Sequence, residues 1–195
     1  MIEKEDDDVN GIIKQIGVRE DDAVHLREGN VSLILDRYDD IFSDFDPRAY
    51  SERAVSDDFL VECKRAVREK ENEEFELRLL MPKNKRDLNQ EISIKKRLKA
   101  HFIKHHKEKE DEIKKMRREG LLWVFLGIII NVVVVSGFLK VENSIFIAFL
   151  SILEVPSWFL IWEGLGKALI ESRKKKSDLE FYKKMSKARI YFFNY

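Results

Sequence analysis

The chain has 195 residues and carries 36 basic and 36 acidic side chains, so its formal net charge is zero. Its one cysteine, Cys63, excludes an internal disulfide. The acidic N-terminal stretch has neither a basic region nor an apolar core, so no cleavable signal peptide is expected. The charge is unevenly spread, with a net −10 in residues 1–58, +7 in residues 83–119 and +6 in residues 173–195.

The N-terminal half predicts a small folded domain after an acidic tail. Residues 1–22 are predicted to be a mobile acidic tail, and residues 23–104 to form a cytoplasmic α+β head. Two strands, Ala23–Arg27 and Val31–Leu35, are predicted to pair through a turn at Glu28–Asn30, because alternating apolar residues flank a glycine-containing connection.

The rest of the head is predicted to alternate between helix and strand. Ser56 is a good N-cap for a helix that carries apolar residues at core spacing. The run Phe75–Met81 alternates apolar and other side chains, which predicts a strand. A second helix is predicted to begin near Asp87 and to continue as a solvent-exposed helical stalk over residues 105–120, because His105–Glu112 contains no apolar residue.

Two apolar runs, Leu121–Leu139 and Ser144–Trp162, follow the stalk and are separated only by Lys140–Asn143. A helix of 19 residues spans about 28 Å, close to the thickness of the hydrocarbon core of a bilayer. The sequence therefore predicts a two-helix transmembrane hairpin within residues 121–170.

Clusters of basic residues precede the first span and follow the second, whereas the loop between the spans has one lysine and one glutamate. This distribution predicts that both chain termini are cytoplasmic. Trp123 and Trp162 are then expected at the same cytoplasmic interface, where indole rings prefer to lie. The basic residues predicted to anchor this interface are Arg117, Arg118, Arg173, Lys174, Lys175 and Lys176.

A polar site is predicted at the middle of the bilayer. Asn131 lies ten residues into the first span, and Glu154 lies ten residues from the start of the second, so both are about 15 Å deep. A carboxyl group there costs about 2.5–3.5 kcal/mol on insertion scales, so Glu154 is not expected to face lipid. Pro156 weakens the helix beside it, and Ser157 adds a hydroxyl group in the same turn.

Two interpretations of this polar site stand side by side. In one, several hairpins meet and Glu154 and Asn131 form a site for an ion or a proton. In the other, a protonated Glu154 bonds to Asn131 and joins the two helices. Gly127 shares a helix face with Asn131, so this face is predicted to be packed; Gly137, Gly164 and Gly166 are further small residues suited to close helix approach.

The C-terminal segment, residues 171–195, is basic and amphipathic. It is predicted to form a helix that packs on the head, or alternatively lies on anionic lipid. Ile190–Phe193 is an alternative strand that would return to the small sheet of the head.

Five aspartates among aromatic residues could supply oxygen ligands for Ca²⁺, although the EF-hand pattern is absent. These residues are Asp36, Asp39, Asp40, Asp44 and Asp46. His101 and His105 share a helix face, but their lysine-rich surroundings disfavour a metal, and solvated stalk histidines are expected. No motif of a nucleotide-binding loop or a nucleophilic triad is present, so an enzyme is the least favoured class.

Four stretches of the chain resemble an uncharacterised family of small prokaryotic membrane proteins. They are DFDPRAYSERAVSDDFL at Asp44–Leu60, LRLLMPK at Leu77–Lys83, LKAHF at Leu98–Phe102 and WFLIWEGL at Trp158–Leu165. The resemblance covers about residues 24–195 and implies an α/β head before two membrane helices, with no established activity. Members of that family often have an Arg-Pro pair where this chain has Glu163–Gly164. A looser likeness to calcium uniporters fails, because W-D-x-x-E-P is absent.

The sequence thus predicts a membrane α-helical hairpin with two spans and a small cytoplasmic α+β domain on a helical stalk. The expected function is that of a self-associating, membrane-anchored recognition module at the cell membrane. Its expected partners are anionic lipid headgroups and a cytoplasmic partner or ligand, with no cofactor and no nucleic acid. The alternative is an oligomeric ion channel lined by Glu154 and Asn131, since one hairpin cannot enclose a pore.

Overall fold

The computed structural model describes residues 31–68, 75–138 and 143–195. These residues divide into two compact units, the head (described residues up to His105, together with Phe181–Tyr195) and the hairpin unit (His106–Glu180). The strands are β1 (Val31–Ile34), β2 (Glu76–Met81) and β3 (Arg189–Asn194). The helices are α1 (Asp57–Arg68), α2 (Leu88–Phe138), α3 (Ser144–Leu165) and α4 (Lys176–Lys187).

The head contains a three-stranded parallel sheet in the order β1-β2-β3. Leu77 of the central strand is in register with Val31 on one side and with Ile190 on the other. The strands β1 and β2 are joined through α1, as a parallel pair requires a long crossover. The strand β3, in contrast, comes from beyond both long helices. The central strand is buried from Leu77 to Met81.

The core of the head lies on one face of this sheet. Leu77, Leu79 and Met81 alternate along β2 and are fully buried. Each helix of the head adds apolar residues at intervals of four, which places them on one face of that helix. They are Phe59, Cys63 and Val67 of α1, Ile94, Leu98 and Phe102 of α2, and Phe181 and Met185 of α4. Burial raises the pKa of the Cys63 thiol, which therefore stays protonated and unreactive.

A buried polar network joins the beginning of α2 to the end of β3. Arg86 donates from Nε to Glu91 Oε1 at 2.7 Å and also bonds to the side chain of Asn194. The hydroxyl group of Tyr38 accepts from the backbone N–H of Asp87 at 2.8 Å and donates to Glu91 at 3.2 Å. Because Glu91 is only 2% exposed, these partners replace the water that its carboxylate loses on folding.

Most predicted elements of the head are confirmed. The helix after Ser56 begins at Asp57, the strand ends at Met81, and the next helix begins at Leu88. The strand β1 is also confirmed, but it pairs in parallel with β2. Its predicted hairpin partner at residues 23–27, like the predicted tail at residues 1–22, lies outside the described residues.

The head extends beyond the residues 23–104 predicted for it. The alternative that Ile190–Phe193 forms a strand is confirmed, since β3 pairs with β2 over six residues. The helix α4 before it buries Phe181 and Met185 in the core of the head. The basic segment at residues 171–195 is therefore not one separate tail, because its apolar side chains complete the core.

The hairpin unit contains two helical segments that are long and apolar enough to cross a membrane. In their most apolar stretches only 17% and 11% of the residues are buried. A core helix of a water-soluble protein would be mostly buried. The helix α3 starts at Ser144, as predicted, and it continues past the predicted end at Trp162 through a π-helical turn, Gly166–Glu171.

Candidate functional site

The two helices of the hairpin unit touch through their backbones at glycines. A Cβ atom added to Gly120 would lie 2.6 Å from the carbonyl oxygen of Gly164, and one added to Gly164 would lie 2.5 Å from that of Gly120. A Cβ atom on Gly127 would lie 2.7 Å from the carbonyl oxygen of Ser157. These distances are too short for real carbon atoms, so the helices depend on glycine at all three positions.

The predicted packed face of the first helix is confirmed at Gly127, and Gly137 also packs, against the side chain of Leu150. Gly166 does not act in this way, because a Cβ atom there would meet nothing within 4 Å. Gly120 was missed by the sequence analysis. It directly precedes the apolar run, and its spacing of seven residues from Gly127 was the available signal.

Asn131 and Ser157 form the polar contact between the helices. The amide of Asn131 donates to the Ser157 hydroxyl group at 3.4 Å, and that hydroxyl group donates to the carbonyl oxygen of Glu154 at 2.7 Å. Ser157 is completely buried. It lies directly after Pro156, whose missing N–H removes the usual donor to the carbonyl of Ile152.

The side chain of Glu154 is on the outer surface of the hairpin unit. Glu154 is exposed, whereas Ser157, one turn away, faces the first helix. The predicted bond between Glu154 and Asn131 is absent from the described residues, since Asn131 bonds to Ser157 instead. Of the four residues of the predicted polar site, Asn131 and Ser157 therefore form an internal pair, whereas Glu154 and Pro156 are exposed.

The predicted interface tryptophans lie at one level of the hairpin unit. Two close contacts bracket this level, one between Gly120 and Gly164 and one between Gly127 and Ile161. Trp123 lies between them on the first helix, and Trp162 lies between them on the second. Both indole rings are exposed. The ammonium group of Lys167 lies 5.1 Å from the centre of the Trp123 ring, a cation–π distance.

The predicted stalk is helical, and most of its side chains are exposed or half-buried. Its later turns also pair with the chain that follows the second apolar helix. Glu119 pairs with Lys167 at 3.3 Å, and Glu112 pairs with Lys175. Arg117 donates from Nε to the hydroxyl group of Ser172 at 3.5 Å. Hydrogen bonding from Lys175, and then from Lys109, lowers the pKa of the Glu112 carboxyl group.

The other basic residues predicted at this interface are on the surface of the hairpin unit. Arg118, Arg173 and Lys174 are exposed. Lys176, the first residue of α4, pairs with Glu180 at 3.5 Å.

Aspartates of the predicted calcium site accept hydrogen bonds from separate donors within the head. Asp39 accepts from Arg53 at 2.6 Å. Asp46 accepts from Arg48 and from the backbone N–H of Ala54, both at 2.7 Å. The hydrogen bonds from Arg48 hold the pKa of the Asp46 carboxyl group well below its ordinary value. These carboxylates are therefore occupied by internal cations.

Asp40 accepts from the backbone N–H groups of Asp36 and Arg37 at 2.8 and 2.9 Å, which shapes the loop before its 3₁₀ turn. Asp44 is exposed. Among the residues that the structure describes, no three histidine, cysteine or acidic side chains are grouped as a metal ion would need. The geometry thus favours a structural role for these aspartates.

One of the histidines expected to be solvated is instead buried in the head. His101 is 9% exposed, and its Nε2 atom has no hydrogen-bond partner among the described residues. Its ring centre lies 4.3 Å from that of His105, which in turn lies 5.5 Å from the ring of Tyr182. Burial, and then the neighbouring His105, lowers the pKa of His101 to about 4.

No protein-family model matches the chain, and neither a curated protein nor a solved structure is detectably similar to it. The resemblance to small prokaryotic membrane proteins therefore stays a prediction.

The close contact at Gly164 predicts a strong effect of one added methyl group. We expect Gly164→Ala to lower the melting temperature of the full-length protein in neutral detergent by about 5 °C, because overpacking costs ~1–3 kcal/mol. The matched control is Gly166→Ala, where the added carbon meets nothing within 4 Å. The control should be neutral or slightly stabilising. Equal losses in both variants would contradict the glycine contact.

Burial of His101 predicts an acid-sensitive head. The folded-state pKa of about 4 lies below the ordinary value of 6.5, so the unfolded chain binds the proton more tightly. The stabilisation is complete above the ordinary pKa and is lost as the pH falls toward the folded-state pKa. We expect a loss of about 2 kcal/mol by about pH 5, measured by urea unfolding of the full chain in neutral detergent.

The control compares two single substitutions. His101→Phe should remove this loss, whereas His106→Phe should keep it, because the side chain of His106 is only half-buried. A native-like pH dependence in His101→Phe would show that other groups cause the acid sensitivity.

Proposed function

We propose that this protein is a membrane-anchored recognition module whose hairpins self-associate in the cell membrane. The observation that carries the anchoring is the pair of long apolar helices, whose most apolar stretches are only 17% and 11% buried. The pairing of β2 with β3 carries the two-span topology. These strands come from before and after the two apolar helices, so a chain that crosses a bilayer at the first helix has to return at the second. A chain that crosses the bilayer twice can form this sheet, whereas one that crosses once cannot.

The charge pattern supports an orientation with both termini in the cytoplasm. Exposed basic side chains lie before the first apolar helix and after the second. Such residues are retained on the cytoplasmic side of the membrane. The head, which contains residues from both sides of the hairpin, would then face the cytoplasm and carry out the recognition, without a catalytic step.

The outward position of Glu154 supports self-association. In a single hairpin this carboxyl group would meet lipid at the bilayer centre, at a cost of about 2.5–3.5 kcal/mol. The first helix does not cover it, because Asn131 is engaged by Ser157. A second copy of the chain would bring another Glu154 to the same depth, and two carboxyl groups can share a proton.

The neighbours of Glu154 on the exposed face also suit a helix–helix contact. Ser151 lies one turn away, is exposed, and is small enough to allow close approach. Its hydroxyl group donates to the carbonyl oxygen of Ile147 at 3.0 Å. Trp158, on the same face at the next turn, is 51% exposed and offers a large apolar contact area.

Self-association predicts a measurable effect of removing the carboxyl group. We expect Glu154→Leu to weaken the association of full-length protein in liposomes about 5- to 30-fold, since polar contacts between membrane helices contribute about 1–2 kcal/mol. Energy transfer between donor- and acceptor-labelled copies, measured against the protein-to-lipid ratio, reports the association.

The matched control for this experiment is Glu163→Leu, an exposed acidic residue of the same helix beyond the predicted span. This control should associate like the native chain. Unchanged association in Glu154→Leu would contradict the proposed contact.

The alternative function is an ion path along an axis between several hairpins, for which the outward Glu154 also provides a lining group. Asn131 is less suited to it, because it is bonded inside one hairpin. The anchoring proposal predicts that liposomes containing the native protein show no ion flux above empty liposomes. Flux that disappears in Glu154→Gln and persists in Asn131→Ala would favour the channel.

A further inference from the structure

The hairpin unit has a shallow cavity of about 440 Å³ at the start of the apolar part of α2. It is lined by Lys114, Arg117, Arg118, Leu121 and Leu122. These residues recur at intervals of three and four, so they share one face of the helix. Along about 12 Å of helix, the lining changes from cationic to apolar.

The two arginines of this cavity have no carboxylate partner among the described residues. Arg117 makes a hydrogen bond to the Ser172 hydroxyl group through Nε, which leaves its terminal N–H groups available. Arg118 is exposed. Lys114 differs, since Glu110 pairs with it at 2.6 Å. Elsewhere on this segment, the ion pairs of Lys167 and Lys175 neutralise their charges.

We propose that this cavity is a binding site for an anionic phospholipid. The guanidinium groups of Arg117 and Arg118 hold the oxygen atoms of the lipid phosphate, and Leu121 and Leu122 contact the adjoining acyl chain. The assignment rests on the proposed insertion of the hairpin into a membrane. The planar fork of N–H groups on arginine matches the oxygen atoms of a phosphate better than a lysine does.

The apolar half of the cavity identifies a lipid rather than a soluble phosphate compound. Leu121 and Leu122, one helical turn after the arginines, are 61% and 58% exposed. In the proposed inserted hairpin these leucines begin the first span and lie against acyl chains, so a phosphate attached to such a chain is held beside the arginines. Trp123 follows them at the predicted interface, so the phosphate and the arginines lie at the same depth.

Native mass spectrometry of the full-length protein in neutral detergent tests this site. Phosphatidylglycerol is titrated against phosphatidylcholine as a competitor. We expect the double variant Arg117→Gln, Arg118→Gln to bind phosphatidylglycerol about 30-fold more weakly, because each cation near an anionic lipid contributes about fivefold. The matched control is Arg65→Gln, Arg68→Gln, which removes the same two arginine charges from exposed residues of α1 in the head, outside the cavity. It should change the binding less than about fivefold.

Three outcomes would overturn the proposal. Equal losses in both double variants would show general attraction of lipid to basic surface. Binding unchanged in the arginine variant would show that the cavity does not hold the lipid. Displacement of phosphatidylglycerol by inorganic phosphate at equal concentration would assign the site to a soluble anion.

Carbonate extraction of membranes that contain the arginine variant separates this proposal from the proposed anchoring. We expect the variant to stay in the membrane like the native chain, because the apolar helices are unchanged. Release of both proteins by carbonate would contradict the anchoring itself and the lipid site with it.

Discussion

The parallel pairing of β2 with β3 is the constraint on which the rest of the structure depends. The two strands are separated in sequence by both long apolar helices, yet they are hydrogen-bonded over six residues. The head therefore closes only after the chain has passed through the hairpin and returned. The helix α4 and β3 then add Phe181, Met185 and Phe192 to a core that α1 and α2 leave incomplete. Forming this sheet also carries a large loop-closure cost, since its contacts are so distant in sequence.

The two apolar helices of the hairpin unit form a packed pair. In the proposed membrane setting, lipid offers no hydrophobic drive to bring helices together, so close van der Waals contact and polar bonds have to do so. Gly120, Gly127 and Gly164 allow the backbones to touch, and Asn131 bonds to Ser157. Among the described residues, the polar side chains Asn131 and Ser157 thus bond to each other within the pair. Glu154 faces outward, and in the proposed function it connects the hairpin to a second molecule.

Internal hydrogen bonds and ion pairs account for several charged clusters that the sequence analysis considered as binding sites. Carboxylates in the loop after β1 accept from arginines and backbone N–H groups, so the cluster of aspartates shapes the loop. The acidic and basic side chains of the stalk likewise pair with each other and with the chain beyond the second apolar helix. Arg117 and Arg118 make no such ion pair among the described residues and line a cavity together with two leucines. That combination supports a lipid ligand.

Local patterns in the sequence determined most of the secondary structure. Core spacing predicted α1 and the start of α2, alternation predicted β1 and β2, and two uninterrupted apolar runs predicted the paired helices. The glycine face at Gly127 was also predictable, because helix periodicity places Gly127 beside Asn131. These features depend on residues within one or two turns of each other.

Tertiary structure alone decided the parallel order of the sheet and the partners of the polar side chains, and it chose the return of β3 over the alternatives that the sequence left open. Alternation in a strand specifies which side chains are buried, but it does not specify the neighbouring strand. Helix spacing likewise put Asn131 and Glu154 at a similar depth without fixing the rotation of one helix against the other. The glycine contacts set that rotation, which turned Ser157 toward Asn131 and left Glu154 outside. The same applies to His101, whose burial depends on α4, a helix more than seventy residues further along the chain.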